Sequence, residues 1–110
     1  MGNGNTLKER IGSLDNLVAA LCKDYERRRQ SMSSPGISFR TAAELRYINF
    51  KIHDAVAEIV GGEDADLYIK EIGEHIGYAY SDVPDICERT YKTRKRAALT
   101  NIAKKLHLTD

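Results

Sequence analysis

Leu7, Ile11, Leu14, Val18, Leu21 and Tyr25 recur alternately four and three residues apart. That spacing lays them along one stripe of an α-helix, whereas the buried positions of a strand recur every second residue. A helix from Thr6 to about Met32 is the direct reading. The stripe fits either a coiled-coil seam or the core-facing side of a bundle helix. Arg27, Arg28 and Arg29 fall at the end of this helix, where cations suit the negative end of the dipole.

The same periodicity continues down the chain. Ser33-Ser34-Pro35-Gly36 reads as a turn. Thr41 through Glu44 has the pattern of a capping box, and Leu45, Ile48, Ile52, Val56 and Ile59 follow on one face of a second helix. Gly61-Gly62 stops it. Glu63, Asp64 and Asp66 suit the start of a third helix, whose stripe is Tyr68 or Ile69, Ile72 and Ile76, ending at Gly77. Ser81-Asp82-Val83-Pro84-Asp85 is a further break, with Ser81 as N-cap and Pro84 in the first turn of a fourth helix reaching about Leu106. No segment alternates as a strand would. The expected fold is therefore all-α, a small bundle of about four helices with a C-terminal helix-turn-helix-like element. Residues 1–34 would form the long first helix, a dimerisation seam on the coiled-coil reading, and residues 38–110 the helical domain.

Charge is unevenly distributed. The 17 Lys and Arg nearly cancel the 16 Asp and Glu. Yet from Glu58 to Glu88 the acids face Lys70 alone, and beyond Glu88 the ionisable residues are almost all basic. Such segregation suits a surface with one side toward a polyanion. Within the fourth helix, Tyr91, Ala98, Leu99, Ile102 and Leu106 share a sector that should face the core, with the Lys95 stem packed beside them and its ammonium reaching solvent. Arg89, Thr90, Thr93, Arg96, Ala97, Thr100 and Lys104 take the opposite sector. Because recognition helices read bases with their N-terminal part, Arg89, Thr90, Thr93 and Arg94 are the candidates for the groove of double-stranded DNA. Lys92, Arg96, Lys104 and Lys105 are the candidates for phosphates. Base reading starts near Cys87 rather than Ser81, because the cations start at Arg89.

The run Glu88-Arg89-Thr90-Tyr91-Lys92-Thr93-Arg94-Lys95-Arg96-Ala97-Ala98-Leu99, closed by Ile102-Ala103-Lys104-Lys105-Leu106, resembles the C-terminal element of phage transcriptional activators of the ArpU and RinA type, itself similar to region 4 of sigma factors. Cys87 stands where that family tends to have a capping serine, and the stretch 78–85 departs from its turn spacing. The resemblance implies a small cytoplasmic regulator of phage or mobile-element genes. Double-stranded DNA, RNA polymerase and a second copy of the chain would be its partners, the last through the first helix. Glu88, Arg89, Thr90 and Tyr91 would open its recognition helix.

Chemistry is not expected. His53, His75 and His107 are scattered, and Cys22 and Cys87 show neither zinc-ligand nor disulfide-framework spacing, so no metal, cofactor or enzymatic activity is anticipated. Both thiols read as small hydrophobes. No apolar run approaches the ~20 residues of a membrane span, and no signal-peptide core is seen. Met1 through Thr6 matches a loose myristoylation pattern and equally an unstructured start. Tyr78 and Tyr80 are expected to pack on the helices. The rival to DNA binding is a helical interaction module, such as a phage or plasmid adaptor or an inhibitor of a host protein, working through the first-helix seam and the acidic 58–88 face.

Overall fold

A computed structural model describes residues 7–108. The Met1–Thr6 pattern and the helix start at Thr6 lie outside the described residues, as do the side chains of Leu7 and Ile11. The described chain is an all-α bundle: α1 (Leu7–Lys23), α2 (Tyr25–Ser31), α3 (Phe39–Val60), α4 (Gly62–Gly73), a 3-10 turn (Tyr78–Tyr80) and α5 (Glu88–Lys105). Central to the bundle is α3, which packs against α4 and α5 on one part of its length and α2 on another, while α1 lies across α4 and α5. One core joins Val18 and Cys22 of α1, Ile52 and Val56 of α3, Tyr68, Ile69 and Ile72 of α4, and Tyr91 and Ile102 of α5.

The expected first helix is broken at Asp24 into α1 and α2. Arg28 reaches back from α2, its Nη2 donating to the Leu21 carbonyl at 2.5 Å and its Nε to Asn49 Oδ1 at 2.6 Å. Leu21 is among the last carbonyls of α1, which have no partner within their own helix. Asn49 in turn donates to the Tyr25 carbonyl at 3.0 Å. Arg28 is thus a tie across α1, α2 and α3 rather than a solvated helix end. Of the heptad stripe, Val18 is buried in the chain's own core, with Leu14, Leu21 and Tyr25 packed against it. The core-facing alternative describes this stripe, and its middle is already covered within one chain.

Helix boundaries shift where a competing cap wins. Ser38, not Thr41, caps α3: its Oγ accepts from the Thr41 amide at 3.1 Å, and the helix starts at Phe39. Glu44 then pairs with Arg40 at 3.4 Å instead of reaching a cap amide. Gly61 does end α3, at φ 91° and ψ 155°, a conformation open essentially to glycine. Helix α4 stops at Gly73, four residues before the expected Gly77. His75 takes φ 55° there, and Ile76 N donates to the Glu71 carbonyl at 2.9 Å. This is the left-handed helix ending usually assigned to glycine, and histidine is among the residues enriched in that region. Residues 81–87 are not helical. Pro84 disfavours helical backbone at Val83, and the Ser81 hydroxyl is committed elsewhere.

Candidate nucleic-acid interface

Where Ser81 is committed determines how α5 is held. The Glu71 side chain is 1 % exposed, so its carboxylate sits in the core and must be paired. Ser81 Oγ donates to its Oε1 at 2.6 Å, Tyr91 Oη to the same oxygen at 2.8 Å, and the Asp82 amide to Oε2 at 2.7 Å. One residue of α4 thereby fixes the connector 74–87 and the first turn of α5. Tyr91 also donates to the Ile76 carbonyl at 3.2 Å, and its ring packs against Tyr68 and Tyr78, each at 5.8 Å between centroids.

Lys95 joins this cluster from α5. Its Nζ donates to the Ile76 carbonyl at 2.5 Å and lies 5.5 Å from the centroid of the Tyr91 ring. The ammonium therefore turns inward, against the expectation that it reaches solvent. Burial pulls its pKa down, and the Glu71 charge partly opposes that. Burial pushes the Tyr91 hydroxyl up to about 12, with the Glu71 hydrogen bond adding to the shift. Burial likewise raises the Cys22 thiol to about 12, against a weaker pull from Arg28.

The Tyr91 and Cys22 shifts predict an alkaline limb of stability, which the depressed Lys95 ammonium opposes in part. Tyr91 and Cys22 are neutral in the folded chain and release protons more readily once unfolded, at the ordinary values of 9.0 for the thiol and 10.0 for the phenol. The unfolded state then binds fewer protons, so stability is intact below pH 9 and falls as pH rises from 9 toward 12. Thermal melts across that window should show the fall, and Tyr91→Phe should flatten it. A melting temperature that does not change with alkaline pH would refute the assignment.

Helix α5 starts at Glu88 with Cys87 as its N-cap residue, near the later of the two expected starts. Cys87 Sγ lies 3.2 Å from Thr90 Oγ1, and the Thr90 hydroxyl holds this exposed thiol below the ordinary thiol range. Tyr91, Ala98 and Ile102 are buried as expected, with Leu99 and Leu106 partly so; Ala103 joins them. Arg89, Thr93, Arg96, Thr100 and Lys104 are exposed. Their spacing makes one outward stripe about 22 Å long at the ~1.5 Å rise of a helix. Thr90 is half-buried.

The cations of α5 do not all stand alone. Lys105 Nζ is held by Glu58 at 2.6 Å and Asp54 at 3.2 Å, docking the end of α5 on α3, and these carboxylates raise its pKa. Asn101 Nδ2 reinforces the contact through the Ala55 carbonyl at 2.8 Å. Arg96 pairs with Asp15 of α1 at 2.8 Å, and Lys92 with Glu88 one turn back at 2.6 Å. Arg89, Arg94 and Lys104 make no ion pair among the described residues. Arg94 stands near the Tyr68 hydroxyl, which is buried without a hydrogen-bond partner. Burial raises the pKa of that hydroxyl and the guanidinium lowers it. Part of the acid-then-base segregation is therefore an internal fit between α3 and α5.

The connector 74–87 is longer than the 3–4-residue turn of a helix-turn-helix. Tyr78 packs as expected, donating from its hydroxyl to the Ile86 carbonyl at 2.8 Å, whereas Tyr80 is 84 % exposed. No described helix is long and apolar enough to cross a membrane. No protein-family model matches the chain, nor does any curated protein or solved structure.

Proposed function

We propose that this protein is a non-catalytic, cytoplasmic regulator that binds double-stranded DNA by laying the outward stripe of α5 in the major groove. The observation that supports this reading is the stripe itself: Arg89, Thr93, Arg96, Thr100 and Lys104 project from one side of a helix whose other side is anchored by Tyr91, Ala98 and Ile102. Arg89 and Thr93, at the N-terminal end, would read base edges, with Thr90 and Arg94 beside them. Lys104 would hold phosphate, and Lys92 and Arg96 would do so by exchanging their carboxylate partners for the backbone. Lys105 is assigned instead to the fold. The likeness of residues 88–106 to ArpU- and RinA-type activators supports a transcriptional role in a phage or mobile element, with RNA polymerase as a further partner. A homodimer on two half-sites completes the proposal. The internal pairing of Lys92, Arg96 and Lys105 favours a second reading, a helical protein-interaction module.

Fluorescence anisotropy of a random duplex at rising salt tests the first reading. Log affinity should fall linearly with log salt, and Lys104→Ala should lower the slope by about one. Lys105→Ala should leave the slope unchanged and lower stability. On a selected site, Arg89→Ala should cost about 1–3 kcal/mol and relax specificity, whereas Lys104→Ala should weaken all sequences alike. Absence of binding at low salt would retire the DNA reading in favour of the second.

A further inference from the structure

Between α1, the end of α4 and α5 runs a cleft of about 510 Å³, a size that suits a small molecule. Lys92, Lys95, Arg96 and Leu99 line it from α5, spaced three and four residues apart on one flank of the helix. That flank lies between the core side of α5 and its outward stripe. Ala19 of α1 and Leu99 supply apolar wall, and Asp15 of α1 is the one carboxylate in the lining. The chain itself matches these cations poorly, and Lys95 is the clearest case. Its half-buried ammonium has one acceptor, the Ile76 carbonyl, and no ion pair among the described residues. An ammonium has three donors, and a charge withdrawn from water costs free energy unless it is paired. Lys92 and Arg96 are exposed, and their pairs with Glu88 and Asp15 are of the surface kind that contributes little. Three positive charges converge on one cleft, opposed by two loosely held negative ones.

We infer that this cleft binds a small, hydroxyl-bearing phosphate monoester, with Lys92, Lys95 and Arg96 as the three cationic contacts of its phosphate. Such a group carries about −1.5 to −2 charges at pH 7 and presents three acceptor oxygens. One oxygen can serve each cation, and Lys95 gains the anionic partner that its own chain withholds. A carboxylate, with one charge and two oxygens, would leave a cation unserved. Arg96 donates to Asp15 from Nη1 alone, so the rest of its planar fork is free to turn to the phosphate. The cleft is larger than a phosphate group, and the carbon skeleton of the ester would lie along Ala19 and Leu99, with a hydroxyl donating to Asp15. The site does not depend on DNA binding. On the DNA reading its occupant would take Lys92 and Arg96 from the backbone and weaken the complex; that consequence alone rests on that reading.

Amide chemical shifts of the isotope-labelled full chain, titrated at constant ionic strength without DNA, test the site. The probes are inorganic phosphate, glycerol phosphate and AMP. Saturable shifts should appear from Lys92 to Leu99 and from Asp15 to Ala19, and at least one ester should bind tighter than inorganic phosphate. Lys92→Ala, an exposed change that leaves the core alone, should weaken that ester about tenfold, and Lys95→Met, which keeps the packed stem, should do the same. Asp15→Asn should tighten inorganic phosphate about threefold by removing a competing carboxylate, a gain that damage to the fold would not produce. No saturable shift with any of the three probes would overturn the site. So would affinity indifferent to both Lys92→Ala and Lys95→Met, or weaker phosphate binding by Asp15→Asn. Shifts centred on Arg89 and Lys104 would overturn it too, as general attraction of anions to the outward stripe. Inorganic phosphate binding as tightly as both esters would overturn the ester assignment. Because DNA is absent throughout, failure here leaves the anisotropy result standing, and the converse holds.

Discussion

Replacing Glu71 by alanine should cost about 3 kcal/mol, which for a chain of this length is on the order of a 15 °C fall in melting temperature. Three donors lose a charged acceptor at once, and hydrogen bonds to charged groups contribute about 1.5–3 kcal/mol each. The sum is not realised in full, because Ser81 and the Asp82 amide lie near enough to the surface to find water, and Tyr91 retains the Ile76 carbonyl. What cannot be recovered is the hold of α4 on the connector. Tyr91→Phe removes one donor and leaves the carboxylate two, so it should cost about 1 kcal/mol. Glu71→Gln should fall between, since the amide can accept at one position and must present donors at the other. Equilibrium urea unfolding of the three variants measures the order. Equal, small losses at Glu71 and Tyr91 would show that the carboxylate is not the clamp. In the proposed function the same substitution should harm DNA affinity beyond its effect on stability, because the first turn of α5 is oriented through Tyr91.

The second large effect is at Gly73, where one substitution should act in opposite directions at two sites. A Cβ built at Gly73 would lie 2.6 Å from Lys23 N, 2.7 Å from Lys23 Cα and 2.9 Å from the Cys22 carbonyl carbon. These are backbone atoms at the end of α1, so relief requires moving one helix off the other. Helix propensity favours alanine over glycine by about 1 kcal/mol, whereas overpacking of this kind costs about 1–3 kcal/mol and more when backbone must shift. The clash wins, and Gly73→Ala should destabilise by about 2 kcal/mol or more. At Gly12, within α1, an added Cβ meets nothing within 4 Å. Gly12→Ala should therefore realise the propensity gain, stabilising by up to about 1 kcal/mol. Thermal and urea melts of both variants decide the matter, and a stabilised Gly73→Ala protein would refute the close approach of α1 to α4.

Several features of the chain were open to reading before any coordinates. Period-3.6 apolar stripes specify helices whatever they pack against, which is why the core faces of α3 and α5 emerge as expected. Gly61 is a stop because no other residue adopts its backbone without strain. The exposed stripe Arg89, Thr93, Arg96, Thr100 and Lys104 follows from the helical wheel alone. The end of α4 carries no glycine signal, because His75 takes the left-handed position there.

Local sequence by itself determined that the chain is helical, where α3 and α5 end and α4 begins, and which side of the long helices is apolar, because these follow from backbone sterics, glycine stops and side-chain spacing within a few residues. Tertiary structure alone decided which charges remain available. Glu71 reads as one more acid in an acidic tract until Ser81, Asp82 and Tyr91 converge on it from the connector and α5. Lys105 reads as a phosphate contact until Asp54 and Glu58 meet it from α3. A charge's partner is set by distance in space, and residues 47 positions apart in sequence become neighbours only when α5 lies down on α3.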